Sequence, residues 1–351
     1  MDNTPHSYSR LALGCQRFGY DAPSTGDAIS MEESLRMLDA YAKAGGTLLD
    51  TARSYHIYDG RPPLSERCIG LWLRKKHEEL GDDAYPQWRN RLTIISKGCY
   101  PQLPERTPRL TVVAIRDDME ASLDALGTHI DLWLFHRDDP TRTVEDIVDS
   151  LATALTIINI KQPLIRATGA SNWTAERIHQ ANDYARMRYG IPMFVASEVE
   201  WSLALASRPF AEDMVRMDLD RSKTLYAMSD MPVLAYTSQA KGLLCSDEPI
   251  SSGNDRERFL SPKEIRKANL ALKELVQDIA KRKGIFPAAV SLLWLIQREP
   301  PVTIPVLGCK NSGELGQVLP LLSQDIRLSH EELNSLDQIR IAAMAYLHPN
   351  V

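Results

Sequence analysis

The chain has 351 residues, of which 44% are hydrophobic and 25% charged, and its formal net charge is −5. This composition is typical of a globular protein with a large core. The acidic balance and the lack of any block of lysine and arginine argue against a nucleic-acid partner. No apolar run is long enough to span a bilayer, and the first ten residues lack a secretion signal. We therefore expect a cytoplasmic protein with no membrane partner.

The cysteines are five in number and scattered singly, without a C-x-x-C pair; they are Cys15, Cys68, Cys99, Cys245 and Cys309. An odd count with wide spacing argues against both a disulfide framework and a zinc site. We expect free thiols and no metal ligand among them.

Short apolar runs alternate with longer amphipathic segments along the whole chain. The runs predict strands at residues 11–14, 47–50, 92–96, 130–135, 164–169, 193–197, 232–236 and 302–308. Between them, helical patterns occupy residues 65–75, 111–126, 144–156, 174–189, 287–297 and 313–322. Capping-box spacing marks two further helix starts, at Ser30 with Glu33 and at Ser329 with Glu332. Another helix is expected to have Ser261 as N-cap and Pro262 at its first position, and to end at Gly284.

Continuous apolar strands that alternate with helices indicate a parallel sheet covered on both faces. Eight such units predict a closed (β/α)8 TIM barrel, formed by a single domain over residues 1–351. An open doubly wound sheet is the alternative, but the G-x-G-x-x-G expected after its first strand is absent. The stretches 204–231 and 245–262 are predicted to be extended loops at the C-terminal face, where a barrel builds its substrate pocket.

Residues that follow the strands of a barrel converge on one mouth, and four of them form a chemical set. These are Asp50, Tyr55, Lys97 and His136. A free phenol has a pKa of about 10, so it is a poor acid near neutrality. A neighbouring ammonium favours the phenolate, a carboxylate holds the ammonium in place, and a neutral imidazole can bind a carbonyl oxygen. Together they make a general acid suited to a carbonyl that receives hydride.

Six motifs in register along nearly the whole chain resemble the aldo-keto reductase family: "LLDTARSY", "SER..IG", "SK", "LFH", "GASNW" and "AYTSQAKG". The resemblance implies an NAD(P)(H)-dependent oxidoreductase that interconverts a carbonyl (aldehyde, ketone or sugar) and the corresponding alcohol. By position, Tyr55 is then the general acid/base, Lys97 lowers its pKa, Asp50 anchors Lys97, and His136 orients the carbonyl. Tyr58 becomes a bystander, and His56 a possible substrate contact.

The resemblance also implies a dinucleotide site beside Asp50. Ser171, Asn172 and Glu198 take the place of the residues that bind the nicotinamide carboxamide, and Trp201 that of the aromatic residue that stacks on the ring. The pyrophosphate positions are Thr237, Ser238, Gln239 and Gly242, and the adenosine-phosphate positions are Gly308, Lys310, Asn311, Glu314 and Gln317.

Two of these positions depart from the family pattern. Glu198 replaces the usual glutamine, and a carboxyl group donates to an amide oxygen only when it is protonated. Glu314 would repel a 2′-phosphate, whereas Lys310 would attract it. NADP(H) is the family default, and NAD(H) remains open.

Other interpretations of the same residues stay open at this level. A nucleotide-binding regulatory subunit similar to potassium-channel beta subunits would bind cofactor with little turnover, and a metal-assisted barrel hydrolase would lose activity to chelators. Ser171 and Asn172 could cap the helix at 174–189, Trp201 could be packing, and Glu198 could pair with a cation. The expected partner is a small-molecule carbonyl or alcohol; its identity, the direction of reaction and the oligomeric state are not predicted.

Overall fold

The computed structural model describes residues 9–20, 28–55, 63–217, 220–245 and 255–347. Eight parallel strands, β1 to β8, pair in chain order, and β8 pairs with β1 to close a barrel. This confirms the predicted (β/α)8 architecture. The strands are Ala12–Gly14, Leu48–Asp50, Thr93–Gly98, Leu132–Phe135, Thr168–Ser171, Ser197–Glu200, Val233–Tyr236 and Thr303–Leu307.

Helices α1 to α11 surround the barrel. They are Met31–Lys43, Leu64–Arg89, Val112–Leu126, Val144–Ile158, Ala175–Tyr189, Asp220–Met228, Lys263–Lys283, Pro287–Ile296, Ser312–Val318, Pro320–Ser323 and His330–Leu347. None of the helices described is long and apolar enough to cross a membrane. All five cysteines are unpaired thiols.

The side chains of each strand alternate between the barrel interior and the helix layer. The interior is filled by one set of apolar residues: Ala12, Leu48, Ile95, Leu132, Leu134, Ala196, Leu234 and Val306. Two positions beyond the interior residues of β2, β3, β4, β6 and β7, polar residues reach the C-terminal mouth: Asp50, Lys97, His136, Glu198 and Tyr236. The alternation that builds the core therefore also selects the side chains of the mouth.

Strands β5 and β6 each begin four residues later than the apolar runs predicted, so the predicted bounds 164–169 and 193–197 are wrong. An asparagine side chain takes the place of a strand partner in each case. Asn159 accepts from the N–H of Ile165 and donates to its carbonyl, both at 2.9 Å. Asn182 does the same for Phe194, both at 2.8 Å. Because these backbone N–H and C=O groups already have hydrogen-bond partners, they need none from a neighbouring strand.

Helix starts agree with the sequence at two of the three predicted caps. Ser30 accepts from the Glu33 N–H, and Ser329 and Glu332 form a reciprocal capping box. The third is wrong, because Pro262 is the N-cap of α7 and the helix starts at Lys263. Two predicted helices also have different bounds: α2 continues past residue 75 to Arg89 through a break at Gly81, and 313–322 is divided into α9 and α10.

The two predicted loops at the C-terminal face are more ordered than expected where they are described. The stretch 204–231 contains α6, and residues 255–259 form a 3-10 turn; half of the other predicted loop, residues 246–254, lies outside the described residues. A buried ion pair between Arg258 in this turn and Glu200 at the end of β6 links the two segments. Asn269 of α7 binds both the N–H and the carbonyl of Leu205. Contacts with the 3-10 turn and with α7 thus hold the chain at the end of β6 and in the loop that follows.

Candidate active site

Lys97 lies at the centre of the mouth, with its side chain only 1% exposed. Its ammonium donates to the Asp50 carboxylate, to the Thr51 carbonyl at 3.0 Å and to the Tyr55 hydroxyl at 3.2 Å. β2 supplies Asp50, the turn after it supplies Tyr55, and β3 supplies the lysine. The structure therefore brings together three of the four predicted catalytic side chains through one ammonium group.

The charge state of this group follows from its neighbours. Burial disfavours the ammonium, but the charge of Asp50, together with that of Glu198 when it is ionised, outweighs it and raises the pKa of Lys97 well above its usual value. Lys97 is consequently a permanent cation at physiological pH. Burial also raises the pKa of Asp50, against the attraction of Lys97.

Tyr55 differs from the expectation in one respect. Burial raises the pKa of its hydroxyl, and although Lys97 acts to lower it as predicted, Asp50 and Glu198 act with burial, so the net shift is upward. The predicted lowering by Lys97 is thus present but smaller than the opposing effects. Tyr55 is a neutral phenol in contact with a cation, which is the protonation state that a proton donor needs.

His136 completes the set from the end of β4. Its Nδ1 is 3.0 Å from the Ser54 hydroxyl, and its ring meets the ring of Tyr55 edge-on at 5.9 Å between centroids. Tyr100 packs edge-on against the other side at 5.0 Å. Burial, Arg137 and Lys97 lower the pKa of His136 well below its usual value, so the imidazole is neutral. A neutral imidazole beside a phenol can bind a carbonyl oxygen without taking its proton.

Glu198, at 2% exposed, is the second carboxyl group in this cluster. Its Oε2 lies 3.3 Å from Lys97 Nζ, so the sequence-based alternative in which it pairs with a cation describes a contact that is present. Burial raises the pKa of Glu198 to about 8, the charge of Asp50 acts in the same direction, and Lys97 opposes both.

Asn172 follows β5 in the left-handed region, with φ of 60°, and its amide is fully occupied. Its Oδ1 accepts from the Tyr236 hydroxyl at 2.7 Å and from the Val215 N–H at 3.1 Å, and its Nδ2 donates to Ser171 Oγ at 2.9 Å. The expectation that Ser171 and Asn172 could cap helix 174–189 is wrong, because Thr174 is the cap of α5. Asn172 instead joins the ends of β5, β6 and β7.

The family follows from a comparison with known sequences. The sequence model of the aldo/keto reductase family matches residues 10–341. The chain belongs to this family.

Curated relatives of this aldo-keto reductase cover most of both chains. It is 27% identical to norsolorinic acid reductase stcV of Emericella nidulans over 94% of this chain and 77% of the relative. It is 25% identical to an aryl-alcohol dehydrogenase [NADP(+)] of Phanerodontia chrysosporium over 87% and 75%. It is 24% identical to L-glyceraldehyde 3-phosphate reductase of Escherichia coli K12 over 89% and 85%. All three are named as oxidoreductases, so an oxidoreductase is the class that these relatives support.

Trp201 is not in the mouth of this aldo-keto reductase. It is buried in the layer between barrel and helices and packs edge-on against Trp294 at 6.0 Å. Its position explains this, since Trp201 shares the outward face of β6 with Val199, whereas Glu198 and Glu200 share the inward face. The stacking of Trp201 on a nicotinamide stays a prediction. Tyr236, which the sequence-based set omitted, is the aromatic residue beside Asn172.

The predicted pyrophosphate turn follows β7. Thr237 and Lys241 have positive φ angles of 53° and 56°, and the carbonyl of Val306 accepts from the buried Ser238 hydroxyl at 2.7 Å. Gln239 precedes the short 3-10 turn that contains Gly242. These bonds hold the turn against the end of β8, next to Gly308.

At the end of the site that is predicted to bind adenosine, carboxylates accept hydrogen bonds from backbone N–H groups near the start of α9. Asn311 caps α9 by accepting from the Glu314 N–H at 2.9 Å, and Glu314 accepts from the Lys310 N–H at 2.7 Å. Glu33 of α1 accepts from the Ser312 N–H at 2.6 Å. Lys310 is exposed, and Gln317 is half-buried within α9. Two negative charges thus lie where the resemblance places an adenosine phosphate.

Sequence reasoning missed Ser54, Thr51, Tyr100, Tyr236 and Glu33. Strand alternation would have found Tyr236, because it lies two residues beyond the inward-facing Leu234. The contacts of Ser54 and Tyr100 with His136 are tertiary and leave no pattern in the chain. The candidate substrate contact His56 and the bystander Tyr58 lie outside the described residues.

Proposed function

We propose that this chain is an NAD(P)(H)-dependent oxidoreductase that interconverts a carbonyl and an alcohol on a small molecule, with Tyr55 as general acid and base. The observation that carries the proposal is the 3.2 Å contact between the Tyr55 hydroxyl and Lys97 Nζ, with Lys97 also held by Asp50. A neutral phenol that faces a permanent cation can release its proton as negative charge develops on a substrate oxygen.

The residues present fit a nicotinamide dinucleotide. Ser171 and Glu198 offer polar atoms at the end of neighbouring strands, and Glu198 Oε2 is a buried oxygen with no hydrogen-bond partner among the described residues. Tyr236 supplies an aromatic ring two residues beyond Leu234, which is the register partner of Glu198. The turn at 237–242 would hold the pyrophosphate. When bound, the reduced cofactor supplies the hydride.

The protein's own part in reduction consists of orientation and proton supply. His136, which is neutral, would donate from Nε2 to the carbonyl oxygen, and Tyr55 would give that oxygen its proton. Lys97 stabilises the phenolate that remains, and Asp50 keeps the ammonium in position. In the direction of oxidation, the same phenolate accepts the proton of the alcohol.

The cofactor is proposed to be NADP(H) or NAD(H). The name of one relative includes NADP(+), which supports the phosphorylated form. Glu33 and Glu314 at the start of α9 favour the form without a 2′-phosphate, by charge repulsion. A single titration with each reduced cofactor, followed by protein fluorescence, ranks the two.

Replacement of Tyr55 by Phe tests the function. We expect turnover of a panel of aldehydes, ketones and sugars to fall by about 10²- to 10⁴-fold, the usual contribution of general acid catalysis, with the Kd of the reduced cofactor little changed. Tyr184→Phe is the matched control, because it also removes a hydrogen-bonded phenol hydroxyl, in this case one that donates to the Asp149 carboxylate in the helix layer. Activity retained in Tyr55→Phe would contradict the assignment. Cofactor binding without turnover in the unaltered protein would favour the regulatory alternative.

A further inference from the structure

Two carboxyl groups share one cation in the interior of the mouth. Asp50 is 3% exposed, Glu198 2% and Lys97 1%. With all three ionised, this cluster would carry a net charge of −1 away from water. An uncompensated buried charge is costly, and a buried group normally becomes neutral instead.

Counting hydrogen atoms shows which carboxyl group lacks a donor. An ammonium has three N–H bonds, and those of Lys97 are used by Asp50, by the Thr51 carbonyl and by Tyr55. None remains for Glu198, whose Oε2 accepts no hydrogen bond although it lies 3.3 Å from the ammonium nitrogen. A proton on Glu198 removes the excess negative charge. The carboxyl group then donates a hydrogen bond itself and no longer needs one from Lys97.

The surroundings give that proton an acceptor. The carboxyl groups of Glu198 and Asp50 are close enough to share a hydrogen bond, which acts to raise the pKa of Glu198 and to lower that of Asp50. The other ionisable groups described near Glu198 do not take the place of Asp50 as the acceptor of this proton. Glu200 is paired with Arg258, and Tyr55 and Tyr236 are neutral phenols.

We propose that Glu198 is a positioning residue of the carbonyl reduction, which stands as a neutral carboxylic acid by donating its proton to Asp50 and inactivates the site when that proton is lost in alkaline solution. The inference rests on the proposed function, since Glu198 acts through Lys97 and Tyr55. Loss of the proton adds a negative charge beside Lys97 and weakens the attraction of the ammonium for the Tyr55 phenolate. Tyr55 then becomes a weaker acid in reduction and is less often a phenolate in oxidation. A glutamine, the usual residue at this position of the family, has no proton to lose.

The first test is the pH dependence of kcat/KM for the wild type and Glu198→Gln, each normalised to its own value at about pH 6.5. We expect the wild type to fall by about tenfold for each pH unit above about 8, and the fall to be absent or displaced upward in the variant. Glu66→Gln is the matched control. Glu66 is also a buried carboxyl group of raised pKa caused by burial, but it accepts from Ser96 and has no contact with Lys97 among those described. Superimposable profiles of the wild type and Glu198→Gln would overturn the inference.

The second test uses the protein without cofactor or substrate. A carboxyl group whose pKa rises from 4.5 to about 8 on folding stabilises the fold below pH 4.5, and that stabilisation is lost as the pH rises through 8. The Tm of Glu198→Gln relative to the wild type should therefore increase between about pH 4.5 and 8 and level off above that, and a constant difference would contradict the proposal. If Glu198→Gln does not fold, infrared spectra of Glu66→Gln, which keeps Glu198 but lacks the other buried carboxyl group of the control, test the proposal instead. The carbonyl band of a protonated carboxylic acid should be present at pH 7 and disappear by about pH 9.

The two proposals fail in different ways. A rising Tm difference in a protein that reduces no carbonyl would defeat the proposed function and leave the protonated Glu198 standing. Reduction that depends on Tyr55 but shows the same pH profile with Glu or Gln at position 198 would defeat only the role of Glu198.

Discussion

The Ser54 hydroxyl lies 3.0 Å from His136 Nδ1, so the residue before the proposed acid also fixes the imidazole opposite it. His136 is neutral, because burial and the charges of Arg137 and Lys97 lower its pKa. When the Ser54 hydroxyl donates to Nδ1, the imidazole hydrogen is on Nε2, where it can be donated to a substrate oxygen. The turn after β2 thereby controls both proton-bearing groups of the site.

Removal of that hydroxyl in Ser54→Ala should reduce kcat/KM by about fivefold, because one hydrogen bond worth roughly 1 kcal/mol holds the imidazole in its working tautomer. The measurement is steady-state carbonyl reduction at saturating cofactor. Ser54→Thr keeps the hydroxyl and should retain most of the activity. Equal activity in wild type and Ser54→Ala would show that the imidazole is oriented by other contacts, such as Tyr100.

The cofactor end allows a prediction about charge. Glu314 bonds the Lys310 N–H through a carboxylate oxygen, and glutamine keeps an oxygen for that bond while it removes the charge. Glu314→Gln should tighten NADPH binding by roughly fivefold, equivalent to about 1 kcal/mol, and leave NADH binding nearly unchanged. Fluorescence titration with both cofactors gives the ratio of the two Kd values. Glu331→Gln removes an exposed charge from α11 and serves as the control. An unchanged ratio in Glu314→Gln would place the 2′-phosphate elsewhere.

The ion pair of Arg258 and Glu200 predicts a loss of stability when one partner is removed. Both side chains are almost fully buried, so Arg258→Met leaves the Glu200 charge without a partner. We expect the free energy of unfolding to drop by about 3–5 kcal/mol, measured by denaturant titration, and to recover in part when Glu200→Gln is added. Arg282→Met, which breaks an exposed pair with Asp278, should have a much smaller effect. Similar losses in the two single variants would contradict the importance of burial.

The sequence predicts the barrel and its mouth because both depend on local alternation. Each apolar run marks a strand, and the polar residue that ends the inward face, as Asp50 and Lys97 do, belongs to the site. By the same rule Tyr236 faces the barrel interior, whereas Trp201 faces outward because it lies an odd number of residues after the inward-facing Glu198 of β6. The choice of Trp201 relied on family resemblance alone and ignored this parity.

Other features depend on bonds between distant segments, which leave no periodic trace. Asn159 and Asn182 displace the starts of β5 and β6 by binding backbone that an apolar run would assign to a strand. Glu33 has the spacing of a capping residue for its own helix, yet its carboxylate binds Ser312, 279 positions away in the chain. Such partners become visible only in the folded protein.

Arg340 of α11 donates to the carbonyl groups of Ser202 and Leu203, while Ser207 binds the carbonyl of Arg258. These anchors leave little freedom in the chain just beyond β6 until residue 208. Substitutions at residues 209–212 should accordingly leave the contacts of the terminal helix with this segment intact.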